Sequence, residues 1–165
     1  MSKPKIISKH LGEVSAFLAQ ENYAFILLCD EKWWNRLCEQ NRKSQNQTKS
    51  FVRRNLRGPI KTEKLLFYVK SPVKQIRGTA DFVERVAGNS KILWNQYGKE
   101  TCLKNFREYR SFLHGCEKAT FIRFKNFKEL ENPVPVEVMK KVLGILKIPR
   151  GGKYINRETA DELRV

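Results

Sequence analysis

The stretch Leu56-Arg57-Gly58-Pro59-Ile60-Lys61-Thr62-Glu63-Lys64-Leu65-Leu66-Phe67-Tyr68 decides how this chain is read. Gly58-Pro59 is a turn dipeptide. Behind it, Lys64 to Lys70 holds five apolar residues in an unbroken run of strand length, rich in aromatic and branched side chains, and reads as a strand. Upstream, Ala24 to Cys29 (Ala-Phe-Ile-Leu-Leu-Cys) is a second continuous apolar run, the signature of a central strand buried on both faces.

Between these runs, Asp30 offers an N-cap for a helix through Trp33, Trp34 and Leu37 to about Gln40. Residues 41–63 then read as a long basic loop, because Asn41 to Ser50 is polar and lacks periodicity. Downstream, Ser71-Pro72 interrupts the chain and Val73 to Arg77 resumes as a strand up to Gly78. Ala80 to Ala87 alternates as another strand, with Phe82 and Val86 on one side and Val83 and Arg85 on the other. Asn89-Ser90 caps a short helix carrying Trp94 and Tyr97, and Thr101 caps a longer one ending near Gly115. His114 there reads as a helix-end residue facing the dipole. Thr120 to Phe127 alternates, placing Phe121, Arg123, Lys125 and Phe127 on one face and Ile122, Phe124 and Asn126 on the other. Pro135 opens a helix over Val136 to Leu143, Lys153 to Ile155 is a short strand, and Asn156 caps a last helical turn. A further amphipathic helix is expected from His10 to Gln20.

The expected architecture is α+β: one domain over residues 1–165, with a mostly antiparallel, curved, barrel-like sheet and peripheral helices. Residues 1–21 form an N-terminal extension or helix, and residues 89–116 an inserted helical pair. No apolar stretch approaches a membrane span of roughly 18 residues. Met1 to His10 lacks the apolar run of a signal peptide, so the chain reads as cytoplasmic.

Thirty-three Lys and Arg face seventeen Asp and Glu, a formal net charge of +16. The excess is concentrated. The first forty residues are neutral, whereas residues 41–77 hold eleven basic side chains against Glu63 alone. Such a segment calls for a polyanion, and nucleic acid is the expected partner. The expected phosphate contacts are Lys49, Arg53, Arg54 and Arg57, extended by Lys70, Lys74 and Arg77. Arg123 and Lys125, interleaved with Phe121 and Phe127, suit single-stranded RNA or alternatively guard an edge strand. Trp33, Trp34, Trp94 and Tyr97 are base-stacking candidates, each weighed against simple core packing.

Catalytic signatures are missing: there is no GxSxG, HExxH, GxxxxGK[ST] or GxGxxG. Cys29, Cys38, Cys102 and Cys116 form no CxxC pair and read as free thiols, so no metal and no cofactor are expected.

The stretch Leu56 to Tyr68 also carries a resemblance. It is similar to the segment of PUA-like domains, in their ASCH and EVE branches, where a turn delivers the chain into a core strand. The Val- and Arg-rich strand Ala80 to Ala87, the helical pair and the strand Phe121 to Phe127 continue it over about residues 22–163. It resembles in particular an archaeal branch of these proteins. The resemblance implies a small pseudo-barrel whose relatives bind RNA, or modified bases in DNA, with a base held beside the barrel. Some ASCH relatives are enzymes acting on RNA or modified nucleosides through Lys with Thr, Glu, Tyr or Ser. No complete set of that kind falls on numbered positions here. RNA binding, to a structured RNA such as tRNA or rRNA or to a modified nucleotide, is the first expectation. A small RNA-acting hydrolase is the alternative.

Overall fold

The computed structural model describes residues 20–165. The helix expected from His10 lies outside the described residues but for its last position. The elements are β1 (Ala24–Cys29), α1 (Glu31–Lys43), β2 (Lys49–Arg53), β3 (Lys64–Val69), β4 (Gln75–Asn89), α2 (Ser90–Tyr97), a 3-10 turn (Gly98–Glu100), α3 (Phe106–Leu113), β5 (Lys118–Pro135), α4 (Val136–Leu143), β6 (Lys153–Ile155) and α5 (Arg157–Leu163).

The six strands make one mixed sheet in the order β2-β5-β4-β3-β1-β6. β1 and β3 run parallel, and every other neighbouring pair is antiparallel. The sheet does not close, but its two edges approach each other. Arg53 Nη1 on β2 donates to the Gly151 carbonyl just ahead of β6, at 3.5 Å. The backbone N–H of Ile60 donates to the Tyr154 hydroxyl of β6 at 2.8 Å. The result is a curved, barrel-like sheet with an open seam between β2 and β6.

Burial alternates along the central strands as a two-period pattern requires. Phe25 and Leu27 of β1, Leu65 and Phe67 of β3, and Ile122 and Phe124 of β5 fill the concave side, with Trp34 and Leu37 of α1 packed onto them. Ile26, Leu66 and Ile76 face the other way and are covered by Met139 of α4 and Leu163 of α5. This double cover is why β1 and β3 are apolar without interruption. α2 and α3 bury a third cluster around Tyr109, Leu113 and Phe121.

Four local expectations are corrected. Residues 41–63 are not one loop, since α1 continues to Lys43 and β2 pairs with β5 from Lys49↔Phe124 to Arg53↔Thr120. β2 is a strand because β5 offers it a partner edge; its own composition gives no such signal. The break expected at Gly78 is absent, because β4 runs through it for 15 residues. That strand absorbs register shifts at Ile76/Gly78, Thr79/Asp81 and Phe82/Glu84, the bulges that bend a sheet into a barrel. Gly78 instead seats Trp34: a Cβ there would stand 2.5 Å from the indole Cη2. On β5, Asn126 adopts φ 54°, which shifts the alternation so that Phe127 joins Ile122 and Phe124 rather than Phe121. Finally, α3 is capped by Asn105, whose side chain accepts the Glu108 N–H at 2.9 Å, while the Thr101 hydroxyl donates to the Gly98 carbonyl. His114 closes α3 in the left-handed conformation.

A basic, aromatic-lined cavity at the open seam

A cavity of about 600 Å³ occupies the seam. β2 and the residues after it form its floor, α1 supplies Trp33, the helical insert supplies Thr101 and Phe112, and the turn before β6 supplies Arg150 and Gly151. The insert reaches the cavity because α3 is tied to α1. Arg36 forms a two-pronged ion pair with Glu108, and Trp33 meets Phe112 edge to face with ring centroids 5.6 Å apart. Two aromatic rings from distant parts of the chain thus stand on one side of a single opening.

The charge in the wall is one-sided. Among the described residues, Arg53, Arg54, Arg57, Lys70 and Arg150 line the cavity against one acid, Asp30, which pairs with Lys70 at 2.8 Å. Arg53 is the unusual member. It is half-buried, it forms no ion pair among the described residues, and its hydrogen bond to Gly151 is long. Burial therefore pushes its pKa down, and no acid among the described residues opposes the shift. An arginine stays protonated regardless, so the site holds a partly desolvated charge with no counter-ion among the described residues. Arg54 is exposed and lies over the Phe112 ring at 4.8 Å, donating to the Phe112 carbonyl. Arg57 and Arg150 are exposed.

Several expected contacts lie elsewhere. Lys49 is turned inward and is only 2% exposed, with its ammonium donating to the Ser44 carbonyl at 3.1 Å. Burial lowers its pKa. Lys74, Arg77 and Lys125 do not line the cavity. Arg123 is committed to protein acids: it grips Glu100 through Nε and Nη2 at 2.9 and 2.7 Å, reaches Glu84 at 2.6 Å, and lies over Tyr97 at 4.4 Å. Those bonds, the Glu100 one foremost, raise its pKa and leave no fork for a phosphate. Of the stacking candidates, Trp34 is core, packed against Phe67 and Phe127. Trp33 lines the cavity. Trp94 stacks on Tyr109 at 4.7 Å, and Tyr97 packs towards Phe121 beneath Arg123.

The wall also carries chemistry that sequence reading did not single out. The Ser50 hydroxyl, at the cavity floor, donates to Glu100 Oε2 at 2.7 Å. Glu100 is thereby the hub of a Ser50–Glu100–Arg123–Glu84 chain. Cys102 lines the cavity too, but burial pushes its pKa up to about 11, so it stays a thiol rather than a nucleophilic thiolate at neutral pH. Arg150 ahead of Gly151-Gly152 was the one overlooked signal in the sequence, a basic residue presented by a glycine turn. No helix among the described residues is long and apolar enough to cross a membrane.

No protein-family model matches the chain. It is similar to an ASCH domain-containing ribonuclease of Zymomonas mobilis, 26% identical over 111 residues, which cover 67% of this chain and 74% of that protein. The crystal structure of ASCH from Zymomonas mobilis matches with a TM-score of 0.70 and 19% identity, over 87% of this chain and 95% of that one. A serine-to-alanine variant of the Zymomonas protein matches at 0.71 with 19% identity, over 88% and 96% of the two chains. A tyrosine-to-phenylalanine variant gives 0.68 with 20% identity, over 86% and 96%. An open, curved six-stranded sheet with helices on both faces, superposing on these structures over most of its length, is the ASCH form of the PUA-like fold.

Proposed function

We propose that the chain is an RNA-binding protein that takes a nucleotide of its ligand into the seam cavity and holds the adjoining backbone with the arginines of its rim. The observation that carries this is Arg53, a half-buried guanidinium with no acid partner among the described residues, facing a cavity walled by Trp33, Phe51 and Phe112. A phosphate would supply the missing counter-ion through charge-assisted hydrogen bonds. A base would find rings to stack on, and cavities of some 300–1,000 Å³ suit ligands of that size. The similarity to a protein named as a ribonuclease favours RNA over DNA as the polymer.

The test is binding of total tRNA, single-stranded RNA and duplex DNA across a salt series, with RNA integrity followed on a gel. Replacing Arg53, Arg54 and Arg57 together with Ala lowers the log–log salt slope by about one unit per lost phosphate contact. Unchanged binding in a folded triple variant removes this rim from the interface.

A second reading, RNA hydrolysis, is favoured by the Ser50–Glu100 hydrogen bond at the cavity floor. A hydroxyl fixed by a carboxylate is the arrangement that positions a nucleophile or a proton donor. Cleaved RNA that stays intact with Ser50→Ala supports this reading, whereas intact RNA with wild-type protein leaves binding alone.

A further inference from the structure

A second cavity, of about 480 Å³, lies against the first, and Thr101 and Leu103 belong to the walls of both. Its remaining wall is Trp94 and Asn95 of α2, Gly98, Lys99 and Lys104. The ridge between the two spaces is thus formed by the short segment joining the 3-10 turn to α3.

The make-up of the second cavity repeats that of the first on a smaller scale. Lys99 and Lys104 are exposed and form no ion pair among the described residues. No carboxylate among the described residues lines the space. Glu108, on the following helix, is held by Arg36 and by the backbone N–H of Lys104. Trp94 is half-buried, with Tyr109 stacked on it at an interplanar angle of 23°. Gly98 stands against the same indole without a side chain; a Cβ there would lie 2.7 Å from Trp94 Cδ2, so any other residue would cover or displace the ring.

From this juxtaposition we infer that the second cavity is a neighbouring nucleotide subsite, and that a single strand runs from the seam over the Thr101–Leu103 ridge into it. The inference rests on the proposed binding of RNA at the seam and extends it. Lys99 and Lys104 take the phosphate on the far side of the ridge, and the exposed part of Trp94 meets the adjacent base. Volumes of about 600 and 480 Å³ on either side of the ridge suit successive unpaired nucleotides, so the ligand inferred here is single-stranded across the ridge.

The experiment is binding of a single-stranded hexaribonucleotide across a salt series by wild type, Lys99→Ala/Lys104→Ala, Arg53→Ala and a charge-matched control, Lys141→Ala/Lys147→Ala. The control residues are exposed and line neither cavity. With about 0.7 of slope per phosphate contact on a single strand, the Lys99/Lys104 variant should lose up to about 1.4 units of log–log slope. The control should lose none. A Lys99/Lys104 variant that behaves as wild type while Arg53→Ala weakens binding overturns the second subsite and leaves the seam intact. Equal losses in the Lys99/Lys104 variant and the control also overturn it, since the effect is then general charge. A wild-type protein that does not bind the hexamer overturns both readings.

Discussion

Replacing Arg53 with Met separates the two roles this side chain could have, because they predict opposite effects on stability. As a structural staple across the seam, Arg53 would hold β2 to the turn before β6, and its loss would lower the melting temperature. The geometry argues against that role. Among the described residues the guanidinium has no carboxylate partner, and its bond to the Gly151 carbonyl is 3.5 Å, the outer limit of a hydrogen bond. Losing it costs at most about 0.5 kcal/mol. Removing a partly desolvated charge works in the other direction, and Met keeps most of the apolar stem. The expected melting temperature of Arg53→Met is therefore equal to that of wild type or higher. RNA binding moves the opposite way. Truncating one partner of a buried, hydrogen-bonded charge pair costs 2–5 kcal/mol or more, and for a half-buried group the low end applies, so about 2 kcal/mol is expected. That corresponds to roughly a 30-fold loss of affinity. Thermal melting and RNA binding at fixed salt, on the same preparation, read both quantities. A variant that melts several degrees lower, with its affinity loss explained by unfolding, would refute the reasoning.

Three further outcomes follow from the packing. Trp34→Ala should destabilise by about 3–5 kcal/mol, because it empties the seat against Gly78 and Phe67, whereas Trp33→Ala should chiefly weaken RNA binding, by about 1–3 kcal/mol; melting and binding on the pair tell them apart. Gly152→Ala should lower stability by about 3 kcal/mol, since Gly152 sits at φ +86° and its new Cβ would stand 2.4 Å from the Ile26 carbonyl oxygen; an unchanged melting temperature would contradict this. The hydrogen bond from Arg36 holds the Glu108 carboxyl below the usual carboxylate range, and a depressed carboxylate stabilises above its unfolded pKa of about 4.3 and loses that contribution as pH falls through the lower folded value. Glu108→Gln should thus cost about 1 kcal/mol at pH 7, with the gap from wild type closing in melts carried to about pH 3.

The parts of the fold legible in the sequence are those whose signal is local. β1 and β3 announce themselves because both faces are buried, and Asn89 and Asn156 cap the helices they precede. β2 was illegible because its polar, basic composition is that of a loop, and only pairing with β5 makes it a strand. Gly78 reads as a stop, yet the glycine is there for an indole that arrives from another element. The cavity divides in the same way. Arg53, Arg54, Arg57 and Trp33 could be named from local charge and aromatic content. Phe112 and Thr101 could not, since tertiary contacts bring them to the seam, while Arg150 offered only the local signal of a basic residue ahead of a glycine pair. Arg123 looked free because its acids, Glu84 and Glu100, lie 39 and 23 residues away in sequence. Lys49 looked exposed because nothing in its neighbours reveals that the strand end turns inward.

Ultraviolet cross-linking of bound single-stranded RNA, followed by mass-spectrometric mapping of the attached peptides, tests the central claim most directly. Cross-links should fall on the walls of the seam, at Trp33, at Phe51 and at Phe112. Cross-links confined to the opposite face, on α4 and α5, or no cross-linked peptide at a salt concentration where the RNA binds, would contradict it.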